Sequence, residues 1–427
     1  MTSQAEQYLV ELINRARLDP QAEADRYGID LNKDLPNGTI DATAKQVLAP
    51  NEDLELAARL HSIWMLQANV FSHTGEGGSS MRQRVEAGDY PLSGSWRLGE
   101  NIAWSGTSGQ LDLDAQIDRH HQGLFRSSGH RENLLDSRFR ELGVAQEEGV
   151  FTSNGRSWNT SMLTENFAKS GSNIFVTGVV YNDLDADDFF SIGEGRSGAV
   201  FSVGNTSDVS EGSGGYAIAV SPQNVLTVSI SYQGIQGSIA VEPSGENVKI
   251  DLVDGERVLL SKSATLLTGI TDATLLGVED LDLQGSMASD VLTGNSGNNV
   301  LVGAQGNDVL YGGAGDDLLN GSLGDNLLRG GLGNDTLNGG WGNDVLQGND
   351  GADSFTGGTG ADDFYIDAQD VSFDGGGGYD RLIVADTNGV NVALNGTNIE
   401  RILGGAGDDV FDGTGVTTSL VMSGLGG

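Results

Sequence analysis

Carboxylates recur at nine-residue intervals over a long stretch of this sequence. From Gly285 to Tyr365 one unit, Gly-Gly-x-Gly-x-Asp-x-apolar-x, is written nine times. Hard cations such as calcium take six to eight oxygen ligands, which the sixth-position carboxylate and the carbonyl groups of glycine turns supply. We therefore predict calcium ligands at the sixth position, at Asp290, Asp308, Asp317, Asp335, Asp344, Asp353 and Asp362.

The remaining positions of the unit support an ordered structure. Asn299 and Asn326 are weaker variants of the sixth position, and two later units, starting at Gly375 and Gly404, add Asp380 and Asp409. A flexible Gly/Asp-rich linker would not keep a large apolar residue in phase. We expect the eighth-position side chains to point inward and form a core, at Leu292, Leu301, Leu310, Leu319, Leu328, Leu337, Leu346, Phe355 and Phe364.

A second acidic pattern lies at DLDADDFFSIGE, which follows a run of strand-forming residues. Asp183, Asp185, Asp187 and Glu194 occupy positions 1, 3, 5 and 12 of an EF-hand-type loop, although position 6, normally Gly, is Asp188. The loop resembles the calcium loop of bacterial surface-protein B repeats. We favour a calcium site here over a merely solvated acidic loop.

Composition limits the classes of partner. The 427 residues carry 23 Lys and Arg against 60 Asp and Glu, a formal net charge of −37. Nucleic acid is disfavoured, because its binding needs cations that neutralise phosphates. Cysteine is absent, which excludes disulfides and thiolate catalysis. We expect neither a membrane-spanning segment nor an N-terminal secretory signal peptide.

Apolar spacing indicates the elements that must position these groups. Leu9, Leu12, Ile13 and Ala16 follow helical spacing, and a second helical run from Asp53 contains Leu56, Leu60 and Ile63. We predict a mixed α and β domain at 1–170. Short Val- and Ile-rich runs at 171–256 predict a small antiparallel β-sandwich.

The nonapeptides resemble those of RTX proteins, whose hemolysin-type repeats bind calcium. The resemblance implies a C-terminal right-handed parallel β-roll at 285–427, with two nonapeptides per turn and calcium between successive loops. The preceding residues, 257–284, are expected to form capping rungs of that roll. RTX proteins leave the cell by type I secretion and fold in millimolar external calcium, so we expect an extracellular location.

Five motifs in the first domain together resemble the bacterial branch of the CAP (SCP-like) superfamily: INRARLDP, FSHTGEGG, GENIAW, SSGHRENLL and TENFA. The resemblance implies an α-β-α sandwich with a shallow cleft that carries two His and two Glu residues. His73, Glu100 and His130 match three of these positions. The fourth has no clear counterpart, and His121 and Glu165 are candidate substitutes.

Two imidazoles and a carboxylate suit zinc, with an open position for water. We therefore regard His73, His130 and His121 as candidate zinc ligands and Glu100 as a candidate catalytic residue. His61 is interpreted as a surface or capping histidine, and for the adjacent His120 and His121 a structural role is favoured over ligation.

Three hypotheses for function follow. The first is a secreted calcium-binding protein whose CAP-like domain binds a lipid, a peptide or an envelope component. The second is a metal-dependent hydrolase or peptidase that uses the CAP cleft. The third is a structural surface adhesin held together by calcium.

Overall fold

The computed structural model describes residues 2–385, 389–394, 396–414 and 419–424. The chain divides into two compact units. The first comprises Met1–Ile235 and Glu242–Gly255, and the second comprises Gln236–Val241 and Glu256–Gly427.

The helices of the first unit begin and end at residues that suit these positions. A capping box joins Ser3 to Glu6 at the start of α1, and Asp19 ends α1 and caps α2, which begins with Pro20. The α-helices are α1 (Gln4–Leu18), α2 (Pro20–Arg26), α3 (Glu52–Ala68), α4 (Met81–Ala87), α5 (Leu113–Arg126) and α6 (Ser128–Leu134), with a 3-10 turn at Glu76–Gly78.

A sheet of order β1-β3-β4-β2 lies between two layers of helices. Its strands are β1 (Ala49–Pro50), β2 (Arg97–Thr107), β3 (Glu141–Ser153) and β4 (Arg156–Lys169). Leu163 and Phe167 of β4 pack with α1, α5 and α6, whereas Ala168 packs with α3 and α4. The predicted α-β-α sandwich is therefore confirmed.

The apolar residues of α3 do not all lie on its buried face. Leu56 and Leu60, part of the apolar spacing that predicted this helix, are 46% and 57% exposed, so they do not mark its buried face. The buried face carries Ala57 and Ala58 instead. That face also includes Leu54 and Met65. Its first turn lies very close to β3, since a methyl group on Gly143 would be 2.2 Å from the backbone nitrogen of Glu55.

The next strands lie where a small antiparallel β-sandwich is predicted, at 171–256, and one of their pairs departs from the antiparallel pattern. They are β5 (Ile174–Tyr181), β6 (Val200–Val203), β7 (Thr206–Val209), β8 (Gly215–Val220), β9 (Leu226–Tyr232), β10 (Ile235–Val241) and β11 (Val248–Val253). Pairs β5–β8, β6–β7 and β6–β9 are antiparallel. The β5–β11 pair is parallel, since the intervening chain brings β11 back in the direction of β5.

The second unit is a parallel β-solenoid. Its further strands are β12 (Arg257–Leu260), β13 (Ala264–Thr268), β14 (Asp272–Leu275), β15 (Asp282–Gln284), β16 (Val291–Thr293), β17 (Val300–Val302), β18 (Val309–Ala314), β19 (Leu318–Leu323), β20 (Leu327–Leu332), β21 (Thr336–Trp341), β22 (Val345–Asp350), β23 (Ser354–Gly360), β24 (Asp363–Ile366), β25 (Ser372–Gly378), β26 (Arg381–Val384), β27 (Asn391–Ala393), β28 (Arg401–Leu403), β29 (Val410–Asp412) and β30 (Val421–Ser423).

Each strand of the repeat block pairs in parallel with the second strand after it. Leu310 of β18 lies beside Leu328 of β20, and Leu319 of β19 lies beside Leu337 of β21. The inward stacking of the eighth-position side chains is confirmed, because all of them from Leu292 to Phe364 are at most 2% exposed. Two nonapeptides therefore make one turn.

The turns of the solenoid require glycine where backbones meet. Gly324 has φ +123°, and a methyl group there would lie 1.7 Å from the carbonyl oxygen of Gly306. Gly324→Ala should therefore lower the free energy of unfolding by about 2 kcal/mol or more, measured by thermal unfolding in saturating calcium. Gly377→Ala is the matched control, since nothing lies within 4 Å of its added methyl group. Equal stability of the two variants would contradict this account of the turns.

Candidate functional site

The sixth-position side chains form a ladder along the solenoid. One carboxylate oxygen of each accepts a hydrogen bond from the backbone N–H one turn earlier: Asp317 N–H donates to Asp335 Oδ1 at 2.8 Å, and Asp344 N–H donates to Asp362 Oδ1 at 2.8 Å. This contact fixes each carboxylate in the interior of the turn. We call this set the aspartate ladder; in the structure it comprises Asp308, Asp317, Asp335, Asp344, Asp353, Asp362 and Asp380.

The other carboxylate oxygen, Oδ2, is buried throughout the aspartate ladder and has no hydrogen-bond partner among the described residues. Burial raises the pKa of Asp335 to about 7 and that of Asp308 to about 6. A buried anion without a partner is costly, so these oxygens need a counter-charge.

Main-chain oxygens converge on the same places. A methyl group built on Gly303 would lie 2.3 Å from Asp308 Oδ2 and 2.8 Å from the carbonyl oxygen of Gly321. A carboxylate and a carbonyl that face one small space suit an oxygen-seeking cation such as calcium. The residues present therefore fit the predicted calcium sites.

Positions in units that depart from the consensus make additional hydrogen bonds within the fold. Asn326 Nδ2 donates to the carbonyl oxygen of Gly324 at 2.9 Å, so its amide takes the place of a cation. The Oδ2 atom of Asp290 accepts hydrogen bonds from Ser286, and Asp409 uses both oxygens on backbone N–H groups. Asp290 and Asp409 stay predicted ligands, since a carboxylate oxygen that accepts one hydrogen bond keeps a further lone pair for a cation.

Sequence reasoning missed Asp370, which continues the row of carboxylates. Asp353 N–H donates to Asp370 Oδ1 at 3.3 Å, and burial raises the pKa of Asp370 to about 7. The nonapeptide glycines are absent around it, and it follows Asp353 by 17 residues rather than 18. The sequence feature that could have identified Asp370 is an aspartate displaced by one residue from the repeat spacing.

The acidic loop of the first unit brings three carboxylates together. Ligand oxygens of Asp183, Asp185 and Asp187 lie within 4.8 Å of one another. Glu194, at position 12, is 3% exposed and does not join them; its two oxygens accept hydrogen bonds from the backbone N–H groups of Leu184 and Ser191, each at 2.7 Å. Glu194 therefore holds the loop closed around the three aspartates.

His73 and Glu100 meet at the edge strand β2. His73 Nδ1 lies 2.8 Å from Glu100 Oε1, with the His73 side chain 57% exposed and that of Glu100 5% exposed. Arg84 of α4, which the sequence did not single out, forms an ion pair with the second oxygen of Glu100 and donates to the carbonyl of His73. Both oxygens of Glu100 are thus engaged.

His130 approaches the same edge from α6. Burial and then the nearby charge of His73 lower the pKa of His130, and its Nδ1 atom is buried without a hydrogen-bond partner among the described residues. Asn101 Nδ2 donates to the carbonyl of His130 at 3.3 Å and to Glu165 Oε2 at 3.0 Å. Glu165 is therefore linked to His130 through Asn101. We call His73, Glu100, Arg84 and His130 the cleft cluster.

The other histidines lie in different surroundings. His121 Nε2 is 2.9 Å from Glu23 Oε1, and both side chains are at most 1% exposed, so His121 does not complete the cleft cluster. His120 bonds Ser161. His61 is 1% exposed, contacts the carbonyl of Ser72 and stacks on Trp64; its interpretation as a surface or capping histidine is wrong.

The cleft cluster does not have the spacing of a metal site. A metal site needs at least three His, Asp or Glu ligand atoms close together. Among the described residues, Asp183, Asp185 and Asp187 bring three such atoms within 4.8 Å of one another. His73 and His130 do not meet this spacing with Glu100. The geometry gives the candidate zinc site no support.

Comparisons with known proteins agree with both units. The Cysteine-rich secretory protein family (CAP) matches residues 10–160, and the RTX calcium-binding nonapeptide repeat matches 284–319, 311–346, 320–355, 338–370 and 395–415. Both are typical of secreted proteins. In the part of the chain that the structure describes, no helix has the length and apolar character needed to cross a membrane.

Two similar proteins come from Bacillus. The Uncharacterized membrane protein YlbC of Bacillus subtilis (strain 168) is 32% identical over 94 residues, which are 22% of this chain and 24% of that protein. The chain thus spans about a quarter of that relative. A crystal structure of an extracellular protein containing a SCP domain, from Bacillus anthracis, is 26% identical, with 30% of this chain and 35% of that chain covered and a TM-score of 0.21.

The repeats bind calcium. Residues 10–160 of this chain are thus a CAP domain, and residues 284–370 carry RTX calcium-binding repeats.

Proposed function

We propose that this is a secreted protein whose solenoid folds on external calcium and whose CAP domain binds a ligand without turnover. The observation that carries the calcium part is the row of buried, unpartnered Oδ2 atoms in the aspartate ladder. Extracellular calcium modules bind with dissociation constants of about 0.1–1 mM. A solenoid that orders only in external calcium is compatible with type I export, which threads unfolded chains and which we include in the proposal.

The proposal extends to the acidic loop as a second kind of calcium site. Asp183, Asp185 and Asp187 would hold the cation, and Glu194 would maintain the loop. Burial and then the charges of Asp185 and Asp183 raise the pKa of Asp187, which is the effect expected of carboxylates gathered without a counter-charge.

The state of Glu100 favours ligand binding over hydrolysis in the CAP domain. A general base must reach the proton that it abstracts from a bound substrate, whereas both oxygens of Glu100 face Arg84 and His73. The cleft cluster instead presents the exposed imidazole of His73 and the half-buried His130 to a bound molecule. We propose a lipid, a peptide or an envelope component as that molecule.

The calcium sites are tested by titration of the full chain, with circular dichroism for folding and calorimetry for stoichiometry. Asp335→Asn should move the folding midpoint of the solenoid to a calcium concentration about 3- to 10-fold higher, because one charged ligand is lost. Asp185→Asn should lower the stoichiometry and leave the midpoint unchanged.

The matched control for this titration is Asp350→Asn, which removes the charge of an exposed aspartate outside the aspartate ladder. An equal shift for Asp335→Asn and Asp350→Asn would mean that only overall charge matters. An unchanged stoichiometry for Asp185→Asn would remove the acidic loop from the proposal.

Zinc calorimetry on the full chain in saturating calcium tests whether the cleft cluster holds a metal ion. We expect no stoichiometric zinc binding that depends on His73 and His130, because Glu100, the carboxylate of the candidate zinc site, is held by Arg84. Stoichiometric binding that is lost in both His73→Ala and His130→Ala would instead favour the metal-dependent hydrolase. His120→Ala is the control, since His120 bonds Ser161 away from the cleft cluster.

The burial of Glu165 predicts that the stability of the CAP domain depends on pH. Burial raises its pKa to about 8 in the folded protein. Because the folded pKa is raised, the folded state is favoured fully below the unfolded pKa of about 4.3 and loses stability as pH rises toward 8. Glu165→Gln should therefore stabilise the domain by roughly 2–4 kcal/mol at pH 7.5 and flatten the pH profile.

The measurement for Glu165 is thermal unfolding by tryptophan fluorescence between pH 5 and pH 8 in saturating calcium. Glu148→Gln, at an exposed position of β3, should keep the wild-type profile. A Glu165→Gln profile as steep as that of the wild type would show that Glu165 is ionised without cost.

A further inference from the structure

A cavity of about 380 Å³ lies within the first unit, away from the cleft cluster. Its walls come from Thr2, from 50–52 beside the start of α3, and from the strands β7 and β8 with the turn between them. Neither His73 nor Glu100 lines it. The proposed function therefore does not account for this cavity.

The cavity is strongly acidic. Its described lining includes the carboxylates of Glu52, Asp208 and Glu211 and no Lys, Arg or His side chain. Asp208 is fixed in orientation, because its two oxygens accept hydrogen bonds from the backbone N–H groups of Val209 and Ala217, each at 2.8 Å. Burial, together with the charges of Glu52, Glu55 and Asp208, raises the pKa of Glu211, although the positive charge of the N-terminal amino group opposes this shift. These carboxylates therefore create a strongly negative potential in the cavity.

A buried hydroxyl group gives an independent sign of a ligand. Ser213 lines the cavity and is 4% exposed, and its Oγ atom has no hydrogen-bond partner among the described residues. Leaving a buried hydroxyl unsatisfied is unfavourable. A ligand that donates hydrogen bonds would satisfy it.

We propose that this cavity binds a primary ammonium group carried on a short alkyl chain. An ammonium group has three donors and one positive charge, which match Asp208, Glu211 and the Ser213 hydroxyl. Pro50 and Ile218 supply apolar wall for the methylene groups.

The dimensions of the cavity favour an organic cation over a bare metal ion. A volume of about 380 Å³ is that of a small-molecule site. The close grouping of three carboxylates that a metal ion needs is found, within the described chain, at Asp183, Asp185 and Asp187 and not here. The ammonium could belong to a free diamine or to a lysine side chain of a peptide, which share this chemistry.

Calorimetry of the full chain in saturating calcium tests the proposal with cadaverine as the free diamine and Nα-acetyl-lysine methylamide as the side-chain probe. We expect one site per chain for at least one of the two probes, and the probe that binds more tightly identifies the source of the ammonium. Glu211→Gln should weaken binding about tenfold, because a charge-assisted hydrogen bond is lost. Ser213→Ala should weaken it by a smaller factor.

The controls separate this site from general attraction to an acidic protein. Glu148→Gln removes an exposed charge of the same unit outside the cavity and should leave affinity unchanged. The neutral analogue 1,5-pentanediol should not bind. Glu52→Gln, at an exposed lining position, provides a second variant should Glu211→Gln fail to fold. Absence of binding by both probes, or affinity equally weakened by Glu148→Gln, would overturn the proposal.

Discussion

Burial of aspartate carboxylates without a counter-charge is the constraint on which the second unit depends. In each aspartate of the ladder, one carboxylate oxygen accepts a hydrogen bond from a backbone N–H, and the other is buried without a hydrogen-bond partner among the described residues. The apolar side chains of the eighth position give the solenoid its core, but each turn of two nonapeptides contributes only two of them. Apolar burial alone must therefore work against a column of like charges, and a bound cation reverses the sign of this contribution.

In the first unit, buried carboxylates are paired with cationic side chains of the protein itself. The buried guanidinium groups of Arg17 and Arg131 donate to backbone carbonyl groups, and Arg84 neutralises Glu100. Glu23 is paired with Arg15 and His121. Most of its buried charges thus have partners within the fold, and the buried Glu165 is an exception at which a proton matters. The acidic loop gathers its three carboxylates at the surface. The two units carry similar net charges, with 18 Lys and Arg against 35 Asp and Glu in the first and 5 against 25 in the second. What separates them is how many of their buried carboxylates have a partner within the fold.

Periodicity made the solenoid predictable from sequence, since a nine-residue repeat fixes both the carboxylate and the apolar position in every turn. Contacts between segments that are distant in sequence could not be predicted in the same way. The pairing of Arg84 with Glu100 depends on how α4 meets the edge of β2, and the inner face of α3 depends on the close approach of Gly143. The placement of His121 against Glu23 depends on α2, to which no motif pointed. Asp370 was not predicted because its spacing differs by one residue from the fixed period of the repeat.

Hydrogen exchange of the full chain with and without calcium tests the central claim most directly. Amides of the solenoid strands from β16 to β24 should be protected in calcium and exchange freely after chelation at neutral pH, whereas amides of β3 and β4 should stay protected in both conditions. The CAP sheet serves as the internal reference for global unfolding. Protected solenoid amides after complete removal of calcium would show that the aspartate ladder is stable without a cation and would contradict the account.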